Sequence, residues 1–304
     1  MWAREAGEPL PRPVHELYTF ANLQELLDFL DWSCNLMRTQ DQLARAAYGF
    51  SAREARSGVG YADVVFNPVH WENWRYRLDD LVEGLDRGFT EAEQDGLTPI
   101  GLCVSLLRQQ TASEAGELVD WMLERLHPRI VALSIDGNEA LAGRVSSRFA
   151  DAFGKAAAGG IHRTVHAGES SGPEGVWDAI HLLQAERIDH GVRAIEDVSV
   201  VKELVDRAIP LGVCPTSNVL LGLYPDLQSH PLEALRRAGV RVSVNTDGAP
   251  LTPTTLEDEY LKSATAFGWS RDVVDAVART SIEASFCDED TRKRLLAKLE
   301  EQPL

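Results

Sequence analysis

Three short stretches of the sequence place a histidine or a carboxylate just past an apolar run. They read Thr-Val-His-Ala-Gly-Glu (164–169), Ile-Asp-His-Gly (188–191) and Val-Ser-Val-Asn-Thr-Asp (242–247). Apolar and β-branched residues lead into each polar group, which is typical of a buried strand that ends at a rim loop. One strand-end histidine is more often structural, but three such ends in succession favour a shared site. Its side chains would be His166, Glu169, His190 and Asp247.

Two imidazoles and two carboxylates on one rim suit a divalent metal, with one carboxylate left free to transfer a proton. Metal-assisted hydrolysis is the reaction class that these side chains support. The sequence offers no Ser-centred elbow, no lysine in a Schiff-base setting and no phosphate-binding loop that would compete with this interpretation.

The elements that must position these side chains alternate between strand and helix. The predicted strands cover residues 61–66, 99–106, 130–135, 161–165, 187–190, 209–214 and 240–245. The predicted helices cover one or two segments within 22–48, then 78–94, 113–126, 146–158, 174–185, 198–207, 232–238, 256–267, 271–285 and 289–300. Ser113 is the predicted N-cap of the helix that starts there.

Short, continuously apolar strands that alternate with helices predict a parallel sheet buried on both faces. A doubly wound sheet is the alternative, but no GxGxxG motif follows any strand. Polar residues gather instead at the C-terminal ends of the strands, as in a (β/α)₈ barrel. The predicted fold class is therefore an α/β, TIM-type (β/α)₈ barrel with only seven barrel strands in this chain, as one domain over residues 1–304.

Composition and charge narrow the possible partners. A net charge of −17 disfavours nucleic acid and anionic membranes as partners. The four cysteines form no CxxC pair, and we expect buried thiols rather than disulfides. We find no signal peptide and no apolar run of about 18 residues, so we expect a cytoplasmic protein.

Four motifs together resemble the adenosine deaminase family in order and spacing, over nearly the whole chain. They are His-Arg-Thr-Val-His-Ala-Gly-Glu (162–169), Arg-Ile-Asp-His-Gly (187–191), Cys-Pro-Thr-Ser-Asn (214–218) and Ser-Val-Asn-Thr-Asp (243–247). The resemblance implies a (β/α)₈ barrel with one Zn²⁺ per chain at its C-terminal mouth. It also implies hydrolysis of a purine 6-amino group to a 6-oxo group with release of ammonia, adenosine being the expected substrate.

The same resemblance implies a role for each matching residue. His166 and Asp247 would be metal ligands, and Glu169 would protonate purine N1. His190 would orient and deprotonate the attacking water, and Asp247 would form a hydrogen bond with that same water. Gly137 matches the glycine whose backbone N–H meets the N3 edge of the purine.

Two features depart from the family pattern. The family's first strand carries His-x-His, which supplies two further metal ligands, and this sequence contains no His-x-His. We therefore expect an N-terminally incomplete barrel, with a gap between strands 61–66 and 240–245. A catalytically inactive purine-binding paralogue is the competing interpretation.

The second departure follows Asp247. Gly248 stands where well-known members have a second Asp that contacts N7, so adenine or another adenosine derivative, such as an aminofutalosine-type nucleoside, stays possible as the substrate. Among the remaining polar residues, we expect Asp189 to be a supporting group. Ser217 and Asn218 are expected to satisfy backbone groups, and His230 to be a surface or helix-packing residue.

Overall fold

The computed structural model describes residues 2–248 and 251–301, and its centre is a parallel sheet. Its strands are β1 (Ala62–Phe66), β2 (Ile100–Leu107), β3 (Ile130–Asp136), β4 (His162–Ala167), β5 (Arg187–His190), β6 (Leu211–Val213) and β7 (Val242–Val244). Each strand pairs in parallel with the next one along the chain, in the order β1-β2-β3-β4-β5-β6-β7. Within the described residues, no pairing joins β1 to β7. The structure confirms the predicted fold, a TIM-type barrel of seven strands that stays open between β1 and β7.

Helices connect the strands and cover the outside of the sheet. They are α1 (Trp2–Ala6), α2 (Leu23–Cys34), α3 (Gln40–Arg56), α4 (Leu78–Gln94), α5 (Ala112–Arg125), α6 (Glu139–Ala142), α7 (Ala150–Ala158), α8 (Pro173–His181), α9 (Val198–Asp206), α10 (Pro215–Leu220), α11 (Leu232–Arg237), α12 (Leu256–Phe267), α13 (Arg271–Ala284) and α14 (Glu289–Glu301). No described helix is long and apolar enough to cross a bilayer. All four cysteines are buried and free, as expected.

The last two strands predicted from the sequence are longer than β6 and β7, the strands observed in their place. The predicted strand 209–214 shortens to β6 because Pro210, just before it, has no N–H to give to a ladder. The predicted strand 240–245 shortens to β7 because the N–H of Val240 bonds to the carbonyl of Leu235 and so belongs to the end of α11.

The start of α5 corrects a second prediction. Thr111, not Ser113, is the N-cap: its hydroxyl accepts a hydrogen bond from the N–H of Glu114 at 3.2 Å. The carboxylate of Glu114 accepts in return from the N–H of Thr111 at 2.8 Å. This reciprocal pair satisfies two backbone donors at once, which a cap at Ser113 would not do.

One apolar core runs through the sheet and the inner faces of the helices. Side chains from every strand are buried in it, with Leu102, Leu133, Ile188 and Leu211 at 1% exposure or less. A smaller cluster, formed by Phe20, Leu26, Phe29, Leu221 and Leu251, joins α2 to the loops that follow β6 and β7. Apolar packing therefore covers both the strands themselves and the loops that follow β6 and β7.

Candidate active site

The pairing of β4 with β5 brings two of the predicted site residues together. The register sets His166 beside Asp189 and Ala167 beside His190. Neighbouring residues of a regular strand point to opposite faces, so Asp189 and His190 could not both face the ring of His166 without a change of backbone. The imidazole centroids of His166 and His190 nevertheless lie 5.1 Å apart.

Left-handed backbone at two strand ends provides that change. Among the described non-glycine residues, positive φ occurs at Leu126, Gln184, His190, Ala208 and Asp247. His190 has φ of 66° and Asp247 has φ of 61°, so two of these five strained positions are predicted catalytic residues. Such strain costs free energy and persists where the surrounding structure imposes it, frequently at functional sites.

Glu169 is the buried acid of the site. One of its oxygens, Oε1, lies 3.6 Å from Nδ1 of His190. Burial raises the pKa of Glu169; the charge of His190 opposes this rise, and the carboxylate of Asp247 adds to it. For His190, burial would lower the pKa, but the charges of Glu169 and Asp247 together raise it. Each group therefore shifts the pKa of the other directly.

The loop that carries Glu169 is held by a second buried carboxylate. Glu139 accepts hydrogen bonds from the backbone N–H groups of Gly168 at 2.9 Å, Glu169 at 3.0 Å and Ser171 at 3.2 Å. Arg108, itself buried, lies 3.7 Å from Glu139 and donates to the carbonyl of His166. The sequence reasoning missed Glu139, although an acid two residues past a strand-end glycine was a usable signal.

Gly137, the predicted substrate-binding glycine, follows β3 with φ of 97°. This backbone angle is one that glycine adopts far more readily than other residues. The structure thus places Gly137 at the same strand-end rim as Glu139, and its contact with a purine stays a prediction.

A buried ionic network supports His166 from below. Oδ2 of Asp189 lies 3.4 Å from Nδ1 of His166 and accepts a hydrogen bond from Thr164 at 2.8 Å. Burial alone would raise the pKa of Asp189, but the charges of Arg187 and His166 hold it below its usual value. Arg187 continues the network to Asp63 on β1 at 2.6 Å. Asp189 is in position to orient the ring of His166, in line with the expected supporting role.

The donor set at the rim fits a divalent metal. Within the described part of the chain, ligand atoms of His190, Cys214 and Asp247 all lie within 4.8 Å of one another. Burial raises the pKa of the Cys214 thiol well above its usual value, which makes it the poorest ligand of the three. Nδ1 of His166 is buried and makes no hydrogen bond. The predicted ligand pair, His166 and Asp247, stays a prediction.

Two residues of the Cys-Pro-Thr-Ser-Asn segment contact the predicted acids, not only backbone groups. Ser217 donates to Oδ2 of Asp247 at 2.6 Å, and Nδ2 of Asn218 donates to Oε1 of Glu169 at 3.3 Å. His230 is likewise buried at 3% exposure and lies 3.1 Å from the Asn218 amide. The expectation that Ser217 and Asn218 satisfy backbone groups was wrong, because their partners lie 30 and 49 residues away in sequence. For His230, the structure excludes a surface position and agrees with the helix-packing alternative, between α10 and the start of α11.

Comparison with known proteins agrees with this geometry. A family model described as adenosine deaminase matches residues 6–302. The chain belongs to the adenosine deaminase family. It is 36% identical over 283 residues to an adenine deaminase of Rhizobium rhizogenes, covering 93% of this chain and 87% of that relative.

Solved structures of the family share the fold. The crystal structure of an adenine deaminase from Arthrobacter aurescens has a TM-score of 0.91 at 29% identity, covering 99% of this chain and 92% of that one. An amidohydrolase from Burkholderia ambifaria, with bound Zn, has a TM-score of 0.89 at 24% identity, covering 99% and 84%. As a member of this family the chain is an aminohydrolase, and its reaction is the deamination of a purine.

Proposed function

We propose that this chain hydrolyses the 6-amino group of adenine to a 6-oxo group and releases ammonia. The observation that carries the proposal is the buried Glu169, whose Oε1 lies 3.6 Å from Nδ1 of His190 and whose pKa is raised by burial. Adenine, an alternative in the sequence reasoning, is preferred to adenosine because curated relatives at 33–36% identity are adenine deaminases.

In the proposed reaction Glu169 donates its proton to N1 of the purine ring, which makes C6 more electrophilic. His190 accepts a proton from the attacking water as its oxygen bonds to C6. Asp247, held by Ser217 at 2.6 Å, accepts a hydrogen bond from the same water. The backbone N–H of Gly137 donates to N3. The C6–N bond then breaks, and the amino group takes up the proton held by His190 and leaves as ammonia. The remaining hydroxyl proton passes to Asp247 as the C6=O bond forms, and exchange with solvent returns a proton to Glu169.

His166 and Asp247 would hold the cofactor, which we propose to be one zinc ion. When bound, zinc lowers the pKa of a water molecule from about 15.7 toward about 7, so that a nucleophile is available at neutral pH. A carboxylate oxygen and an imidazole nitrogen are donors that suit it, and Asp189, 3.4 Å from Nδ1 of His166, leaves Nε2 of that ring for the metal.

The test is the loss of adenine absorbance in the presence of the zinc-supplemented chain, with adenosine assayed in parallel. We expect turnover of adenine in preference to adenosine, and Glu169→Gln should reduce kcat by at least about 10²-fold while zinc content is retained. Glu174→Gln, at an exposed acid on α8, is the matched control and should leave kcat unchanged. No turnover of adenine by the zinc-loaded chain would refute the proposal.

The absence of His-x-His favours a second candidate, a purine-binding protein without catalytic activity. Metal analysis separates the two. Stoichiometric zinc that is lost in His166→Ala and in Asp247→Ala, together with turnover, excludes the inactive protein. Adenine binding in calorimetry without zinc or turnover supports it.

A further inference from the structure

A buried amide lies between the two titratable groups of the proposed reaction. The side chain of Asn218 is fully buried on α10. Its Nδ2 lies 3.3 Å from Oε1 of Glu169 and 3.5 Å from Nδ1 of His190. Its Oδ1 lies 3.1 Å from Nε2 of His230. The amide therefore connects Glu169 to a histidine that no step of the proposed reaction uses.

His230 sets the direction of these hydrogen bonds. The backbone N–H of Leu232 donates to Nδ1 of His230 at 3.2 Å, so that this nitrogen carries no proton. Leu232 is the first residue of α11, where backbone N–H groups have no partner within the helix. Burial lowers the pKa of His230 to about 4, and the imidazole is neutral at pH 7. Its single proton is consequently on Nε2 and is donated to Oδ1 of Asn218.

The orientation of the Asn218 amide follows from this. A flipped amide would set its NH₂ group against the Nε2–H of His230, donor against donor, in a buried setting. With Oδ1 accepting from His230, the two N–H bonds of Asn218 must face the site. One of them is donated to Oε1 of Glu169.

We infer that His230 and Asn218 are positioning residues that hold Oε1 of Glu169 as a hydrogen-bond acceptor, so that the proton delivered to the purine is on Oε2. The inference rests on the proposed function, in which Glu169 is the acid. A carboxylic acid can carry its proton on either oxygen, and a fixed donor at one oxygen selects the form with the proton on the other. The proton then moves from Oε2 to N1 without rotation of the carboxyl group.

Variants of His230 separate positioning from packing. His230→Phe keeps an aromatic ring but cannot donate, and we expect kcat for adenine to fall about tenfold with KM within about twofold of its original value. His230→Gln can still donate through its side-chain amide and should retain kcat within about twofold. In the Asn218→Ala background, which loses the relay, His230→Phe should cause no further loss. Equal losses in His230→Phe and His230→Gln would overturn the inference, as would additive losses in the double variant.

A second measurement does not depend on activity. In the chain labelled with ¹⁵N in the histidine rings, the NMR signals of His230, assigned by their loss in His230→Gln, should show the Nε2–H form at pH 7. A proton on Nδ1 would overturn the inference. If the wild-type chain fails to deaminate adenine, the proposed function fails, and the ring tautomer still decides the direction of the relay. If it deaminates adenine and the variants match it, the inference alone fails.

Discussion

The position of Glu169 depends on the three backbone N–H groups that meet the carboxylate of Glu139. Each is a hydrogen bond to a charged acceptor, worth about 1.5–3 kcal/mol. Glu139 is buried and Arg108 lies only 3.7 Å away, so its charge is balanced locally. The loop of the proposed acid is thus fixed by a residue that has no step of its own in the proposed reaction.

Replacing this carboxylate by an amide tests that dependence. In Glu139→Gln one oxygen becomes an NH₂ group, which faces at least one backbone N–H as donor against donor. We expect kcat/KM for adenine to fall about 10- to 100-fold, in keeping with the loss of one charge-assisted hydrogen bond. Steady-state kinetics on folded protein checks this, with Glu174→Gln on α8 as the control. An unchanged kcat/KM would show that the loop holds its position without Glu139.

Residue types in the sequence predicted some residues of this site, whereas others could be recognised only from their contacts in the structure. His166 and His190 could be found because each follows its own apolar strand, a local pattern that the sequence displays. Asn218 could not be placed, because its contact with Glu169 spans 49 residues and depends on how α10 packs on the strand ends. The left-handed φ of His190 was also beyond prediction, since histidine gives no local signal for it.

At the scale of elements, α3 and α4 pack closely against each other on the outside of the barrel. A Cβ on Gly88 of α4 would lie 2.0 Å from the backbone oxygen of Ala44 and 2.8 Å from its Cα. No side-chain rotation can relieve a clash with backbone. The two helices therefore pack at this distance only because Gly88 has no side chain.

Gly88→Ala should separate α3 from α4 and lower the free energy of unfolding by about 2–3 kcal/mol, the typical effect of overpacking. Gly49→Ala on α3 is the matched control, because a Cβ there meets nothing within 4 Å. Alanine has the higher helix propensity, so this control should raise stability by about 0.5–1 kcal/mol. Urea unfolding of both variants gives the comparison. Equal effects would show that the helix pair can move apart without loss.

The sequence predicted element types well and their ends less well. The helix 78–94 agrees with α4 (Leu78–Gln94), because its apolar spacing and flanking polar residues are local features. The strand ends at β6 and β7 depended on Pro210 and on the Val240 N–H, whose partner lies on α11. Both causes are local, a proline and the capping bond that closes α11 around Gly239, but neither is part of the apolar periodicity from which strands are predicted.

At the scale of the whole molecule, the described part of the sheet is open between β1 and β7, and a buried ion pair crosses its interior. Asp63 on β1 accepts from Arg187 on β5 at 2.6 Å and from the backbone N–H of Phe286 at 2.9 Å. The ring of Phe286 lies 4.3 Å from the Arg187 guanidinium. One carboxylate thus connects β1, β5 and the chain after α13. Since β1 has a strand neighbour on one side only among the described residues, this cross-connection should matter more than in a closed barrel.

Removing the charge of Asp63 tests how much the open sheet depends on that connection. Asp63→Asn keeps the shape and leaves the Arg187 charge with Asp189, 3.3 Å away, as its remaining acidic partner. We expect the free energy of unfolding to fall by about 3 kcal/mol, because breaking a buried pair leaves a poorly compensated charge. The control is Asp41→Asn, whose contact with Arg87 is also 2.6 Å long but exposed. That variant should lose less than about 1 kcal/mol in the same urea titration. Equal losses in the two variants would show that the buried pair contributes no more to the free energy of unfolding than an exposed pair.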